Sequence, residues 1–297
     1  MTDLVVATPV FLDLTFVGLE SLPALGEERF AGELLRSPGG GAITAVAARR
    51  LGLSVAVAAP LGEDVAGELV RGLLSGEGVE IVSSRPGPRT PTTVVMPFGG
   101  DRAMVTVDPG ARASASDVTA QEPRAVAASL DQLHVIPEGV PGYVTCGDDD
   151  ARAFAGRPPA ALSRARAFLI SQSEALTLTG ATTVEDAARA LSELVEIVVV
   201  TRASEGAITC TAGEIVAVPA ERVERPADTT GGGDLLAAAY IWAELREADP
   251  EDRLRWAVLY ATLAVTSPTG IGGAATEAHL LEEGVKRGLT APPLAVG

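Results

Sequence analysis

The chain has 297 residues, 47% hydrophobic and 21% charged, the balance of a globular protein with room for a large core. Its 23 basic and 39 acidic residues give a formal net charge of −16, which argues against a nucleic-acid partner, because phosphate backbones select basic faces. The two cysteines, Cys146 and Cys210, lie far apart with no CxxC spacing, and His134 and His279 are the only histidines, which argues against a Cys/His metal site and a His-dependent triad. No apolar run approaches the roughly 20 residues that span a bilayer, and the first eleven residues lack the basic region of a signal peptide, so a cytoplasmic location without a membrane partner is expected.

In chain order, residues 4–8 read as a strand and 14–35 as an antiparallel ribbon. A helix is expected at 41–51, where Gly52 stands as the residue just past its end, followed by a strand at 54–59 and a helix at 64–75. Residues 90–107 read as a second ribbon around Phe98-Gly99-Gly100-Asp101. Strands are expected at 133–137, 167–171 and 197–201, and helices at 184–195, 234–247, 250–267 and 276–287, with Pro250 near the start of its helix and a loose tail at 290–297. Strands alternating with helices of this length imply βαβ crossovers: an α/β fold with a mostly parallel sheet covered on both faces and ligands at the carboxyl ends of its strands. The two ribbons read equally as a flap over a site, an edge extension of the sheet, or a homodimer surface.

The most informative run is Asp228-Thr229-Thr230-Gly231-Gly232-Gly233-Asp234, which opens directly into an apolar helix. Three glycines before a helix leave its first amides unobstructed, where the helix dipole also favours an anion. A carboxylate at the rim of such a pocket makes sense as a base for a hydroxyl that attacks phosphorus; the plain alternative is a first-turn acidic residue complementing the dipole. No GxxxxGK[ST] is present, and Gly270-Ile271-Gly272-Gly273-Ala274-Ala275 fits a loose dinucleotide pattern but follows a helix near the C-terminus instead of a first strand, which argues against that reading.

The Asp-Thr-Thr-Gly-Gly-Gly-Asp run resembles the second signature of the ribokinase-like (PfkB-type) carbohydrate kinases, commonly DTTGAGD. Upstream, Pro38-Gly39-Gly40-Gly41 and its small-residue helix are similar to the first signature, and Leu61-Gly62-Glu63-Asp64-Val65-Ala66-Gly67 to a G-x-D-x-x-G segment. Pro109-Gly110-Ala111, Ser171-Gln172-Ser173-Glu174-Ala175 and Thr201-Arg202-Ala203-Ser204-Glu205-Gly206-Ala207 stand where the family has PGA, N-x-x-E-A and T-x-G-x-x-G-A. The resemblance is colinear over residues 4–283, and it implies a single three-layer α/β/α kinase domain, residues 1–297, with a small lid from the ribbons at about 14–35 and 90–107.

The same resemblance assigns roles. Asp234 looks like the general base and Gly231, Gly232 and Gly233 like the anion hole. Asp13, expected at the end of the first strand, matches the carboxylate that binds vicinal hydroxyls, with Gly39, Gly40, Thr44 and Glu138 as further acceptor contacts. Ser171, Glu174, Thr201, Ala203, Gly206, Thr262, Thr266 and Gly270 fall in the nucleotide region. Glu174 would hold Mg²⁺ through water, and Asp228 and Thr230 match positions that bind a monovalent cation such as K⁺. Thr44, Ser171 and Ala203 depart from the pattern, replacing two Asn and one Gly, so amide donors are lost and a methyl is added. The first signature lacks an inserted Lys, which favours an unphosphorylated acceptor, although Arg29, Arg102 and Arg112 leave a sugar phosphate open. The implied function is ATP- and Mg²⁺-dependent phosphorylation of a primary hydroxyl on a small sugar of the ribose or fructose type, or a related polyol. The alternatives are a nucleoside kinase of the same fold and a non-catalytic relative that binds sugar or nucleotide. The low aromatic content, 4%, tilts towards a sugar, though one ring such as Phe11 or Phe98 suffices to stack a base.

Overall fold

The computed structural model describes residues 1–98, 101–223, 231–265, 267 and 270–293, with Phe98 and Asp101 described by backbone alone. The chain opens with β1 (Thr2–Ala7), β2 (Val10–Val17) and β3 (Glu33–Gly40), then α1 (Gly41–Arg50), β4 (Val55–Ala58), α2 (Val65–Gly76) and β5 (Glu80–Val82). Next come β6 (Thr92–Phe98), β7 (Asp101–Val107), α3 (Ala115–Thr119), β8 (Pro123–Ser129), β9 (Gly142–Thr145), α4 (Asp148–Ala153) and β10 (Ala167–Ser171). The remainder is α5 (Gln172–Thr179), α6 (Val184–Ser192), β11 (Ile197–Thr201), β12 (Ala207–Thr211), β13 (Glu214–Val218), α7 (Gly232–Leu245), α8 (Pro250–Ala264) and α9 (Glu277–Lys286).

Nine strands form the main sheet in the order β13-β12-β11-β10-β9-β8-β1-β4-β5, parallel from β5 to β11 and antiparallel through β12 and β13. Alternation along a strand decides what each face buries. Leu4 and Val6 of β1 join the core beneath α1, α7 and α8, whereas Val5 and Ala7 join the opposite core beneath α5 and α6. The result is the three-layer α/β/α arrangement expected. Trp242 of α7 and Trp256 of α8 meet edge-to-face, with ring centroids 5.8 Å apart, and lock those two helices together. Among the described residues, no helix is long and apolar enough to cross a membrane.

The two ribbons form one separate four-stranded sheet, ordered β3-β2-β6-β7, in which β2 and β6 run parallel and join the hairpins. Its first hairpin is longer than the expected 14–35, because β2 begins at Val10 and β3 continues to Gly40. Asp13 therefore lies within this sheet and not at the end of the first strand, which stops at Ala7. The expected strand at 133–137 is also corrected: Leu130–Val135 is a 3₁₀ turn, and the strands here are β8 and β9. β8 reads Pro-Arg-Ala-Val-Ala-Ala-Ser; alanine has little intrinsic strand preference, and burial on both faces holds it extended.

Candidate active site

The carboxyl edge of the main sheet and the N-terminus of α7 converge beneath the small sheet. After β1 the chain passes through Thr8 and Pro9 into β2, and β2 pairs with β3 so that Phe11 stands opposite Gly39 and Asp13 opposite Ser37. A Cβ at Gly39 would overlap the Asp13 carboxylate, so only glycine lets the carboxylate lie flat on that backbone. Gly40 adopts φ +59°, and the amide of Gly41 donates to Pro9 O at 2.9 Å, which turns the chain into α1.

Gly231 is the N-cap of α7, with φ +78° and no side-chain cap, and the first helical bond runs from Leu235 N to Gly231 O at 2.9 Å. The amides of Gly232, Gly233 and Asp234 thus lack intrahelical acceptors, and among the described residues a Cβ at Gly232 or Gly233 would meet nothing within 4 Å. Gly231 is enclosed, since a Cβ there would stand 2.9 Å from Ile43 Cδ1 and 3.1 Å from Gly270 Cα. Open space over unpaired amides at a helix N-terminus suits the oxygens of a transferring phosphoryl group.

Asp234 sits in the first turn of α7. Thr44 Oγ1, buried one turn into α1, donates to Asp234 Oδ1 at 3.2 Å. Burial pushes the Asp234 carboxyl up to about 7, and the Asp13 and Glu174 carboxylates add to that. The Thr44 hydrogen bond and the Arg102 guanidinium act against them. A carboxyl that titrates near neutral pH is matched to proton abstraction. Thr44 thereby holds the carboxylate through the packing of α1 on α7. Thr44→Val removes a donor that stabilises the ionised form, so the pH midpoint for activity should move upward; a pH–rate profile of that variant checks this.

Further along the carboxyl edge of the main sheet, Ser171 ends β10 and Thr201 ends β11 in register. Ser171 and Glu174 form a capping box: Glu174 N donates to Ser171 Oγ at 3.3 Å, and Ser171 N donates to Glu174 Oε2 at 2.7 Å. The Ser171 hydroxyl is thereby spent on α5. Burial raises the pKa of Glu174, and the charges of Asp148 and Asp150 raise it further, against the Ser171 amide and hydroxyl. Gly206, φ +92°, tolerates no side chain, because a Cβ would stand 2.6 Å from Ala220 N. Ala203 holds φ +49°, a left-handed backbone that its methyl disfavours. Ala203→Gly should therefore stabilise the protein by about 0.5–1 kcal/mol, readable as a raised denaturation midpoint.

A cavity of about 420 Å³ opens at the end of α8, lined by residues that include Arg222, Thr262, Ser267, Gly272 and His279, a volume that suits a nucleoside moiety. The Thr262 hydroxyl donates to Val258 O at 2.8 Å, within its own helix. Gly270 lies against Gly231 at the start of α7. Glu138 is not brought to the site: it lies in the turn leading into the amino end of β9, closed by Val140 N to Pro137 O at 3.2 Å. Asp228, Thr230 and Thr266 lie outside the described residues, as do Gly99 and Gly100 of the expected hairpin turn.

One charged residue at the sheet edge has no motif to mark it. Asp131, two residues past the end of β8, accepts from Arg112 Nε at 2.8 Å at the carboxyl edge; its strand was itself unrecognised, so nothing marked it. Arg102 pairs with Pro97 on the small sheet, and its charge reaches Asp234, so that sheet hangs over the site as a lid. Among the described residues, no group of three or more acidic, His or Cys side chains is set to hold a metal ion.

A model of the pfkB family carbohydrate kinases matches residues 20–277. The chain is 28% identical to ribokinase from Bacillus subtilis (strain 168) over 302 residues, covering 95% of this chain and 99% of that protein. Its fold is similar to that of Arabidopsis thaliana ribokinase complexed with ribose and ATP, at a TM-score of 0.77 and 24% identity over 95% of this chain and 98% of that one. It is also similar to a Methanocaldococcus jannaschii nucleoside kinase, an archaeal member of the ribokinase family, at a TM-score of 0.76 and 16% identity over 96% and 98% of the two chains. With a lid over a sheet-edge crevice, a glycine-led helix and a family match across most of its length, the chain belongs to the pfkB family of carbohydrate kinases.

Proposed function

We propose that this kinase transfers the terminal phosphoryl group of ATP to a primary hydroxyl of a small sugar of the ribose or fructose type, with Asp234 as general base. The observation that carries the proposal is the Asp234 carboxylate, raised to about 7 and held by Thr44 beside the open amides of α7. The acceptor hydroxyl gives its proton to Asp234 as its oxygen bonds to phosphorus in line with the breaking bond to the leaving diphosphate oxygen. The amides of Gly232, Gly233 and Asp234 receive the charge that develops on the transferring group. Asp13 accepts hydrogen bonds from neighbouring hydroxyls of the acceptor and sets which hydroxyl points at Asp234. Mg²⁺, when bound, offsets the charge of the phosphates, and Glu174 is the residue that would hold its water shell. The lid excludes water that would compete for the phosphoryl group.

ADP release across a panel of pentoses, hexoses, polyols and nucleosides tests this reading. ADP formation that depends on a sugar supports it. ADP formation with nucleosides alone turns the assignment to a nucleoside kinase, and calorimetric binding without ADP from any acceptor turns it to a binding protein.

A further inference from the structure

Phe11 lies two residues before Asp13 on β2, so strand alternation places both side chains on one face of the lid sheet. Its neighbours Val10 and Leu12 point the other way and belong to the core. Phe11 belongs to neither core cluster and is half-buried. Its ring lies against the backbone of Gly40: a Cβ there would stand 2.6 Å from Cδ2 and 2.8 Å from Cε2. Asp13 lies against Gly39 in the same manner. The consecutive glycines thus bring a carboxylate and an aromatic ring side by side to the mouth of the acceptor site. A carboxylate reads hydroxyls, and an aromatic ring reads an apolar face.

We propose that Phe11 is a specificity-determining residue which, with Asp13, selects a cyclic acceptor: hydroxyls on one edge of the ring bond to Asp13, and the apolar face of the ring packs on Phe11. The inference rests on the phosphoryl-transfer reading above and names the acceptor class within it. A free furanose and the ribosyl unit of a nucleoside share this chemistry. An open-chain polyol carries the hydroxyls but presents no rigid apolar face.

The test compares wild type, Phe11→Ala and Phe11→Tyr with D-ribose, D-fructose, adenosine and ribitol. KM comes from ADP release, and Kd from calorimetry on the same variants in an Asp234→Asn background, where turnover does not interfere. Melting temperatures verify that each variant is folded. Phe11→Ala should raise KM and Kd for ring acceptors about tenfold or more, with the loss falling mainly on KM, while the KM for ATP holds and Phe11→Tyr restores binding. Ribose or fructose hit hardest identifies a free sugar as the source, and adenosine hit hardest identifies a nucleoside. The inference is overturned if Phe11→Ala changes ring-acceptor binding less than twofold, if ribitol binds as tightly as the rings, or if no ring acceptor binds the wild type. Ring binding that is lost in Phe11→Ala, with no ADP released by wild type, leaves the inference standing and sinks the kinase chemistry instead.

Discussion

Asp234→Asn is expected to lower kcat by about 10² to 10⁴ while leaving the KM for acceptor and for ATP within a few-fold. Asparagine keeps the shape of the side chain and an oxygen for Thr44 Oγ1, which now lies 3.2 Å from Oδ1, but it takes up no proton from the attacking hydroxyl. The same variant has a stability signature of opposite sign. Asp234 has a carboxyl near 7 in the folded protein against an ordinary value of 3.8, so the folded state binds more protons between those values and loses stability as pH rises through them. Below about pH 4 both forms are neutral and the variants should melt alike; above pH 7 the buried charge is fully developed and Asp234→Asn should melt higher than wild type. An Asn variant that is more stable at pH 8 yet nearly inactive separates loss of the base from loss of the fold.

Gly39→Ala is the second large effect. The new methyl overlaps the Asp13 carboxylate, and both strands are pinned by the β2–β3 ladder, so the carboxylate must turn away from its place over the glycine. Hydrogen bonds to a charged group are worth about 1.5–3 kcal/mol, so displacing Asp13 should raise the acceptor KM by about 10- to 100-fold, with the KM for ATP unchanged. Steady-state kinetics with each substrate varied in turn measures this. An acceptor KM within twofold of wild type would mean that Asp13 does not hold the acceptor.

The parts of this molecule that were legible in its sequence are those whose chemistry is local. Gly231, Gly232 and Gly233 before an apolar helix announce an open helix start, which the structure contains, whereas the Ser171–Glu174 capping box that opens α5 lies outside the expected helices. The parallel sheet followed from alternating strands and helices, although alanine-rich β8 carried a single β-branched residue, Val126. The functional meaning of Thr44 was out of reach, because its partner Asp234 stands 190 residues away and the two meet only when α1 packs on α7. Glu138 was misjudged with its strand: once residues 130–135 form a 3₁₀ turn, the chain has recrossed the sheet before it reaches Glu138. Arg102 and Asp131 owe their positions to the lid and to β8, tertiary arrangements that no short motif encodes.

The most direct test of Asp234 as the base is the pH dependence of kcat/KM for the acceptor at saturating Mg-ATP. The base works only when ionised, so kcat/KM should rise tenfold per pH unit up to a midpoint near 7 and then level, and this limb should vanish in Asp234→Asn. A wild-type profile that is flat from pH 5.5 to 8.5, or an identical limb in the Asn variant, would contradict the assignment of proton abstraction to Asp234.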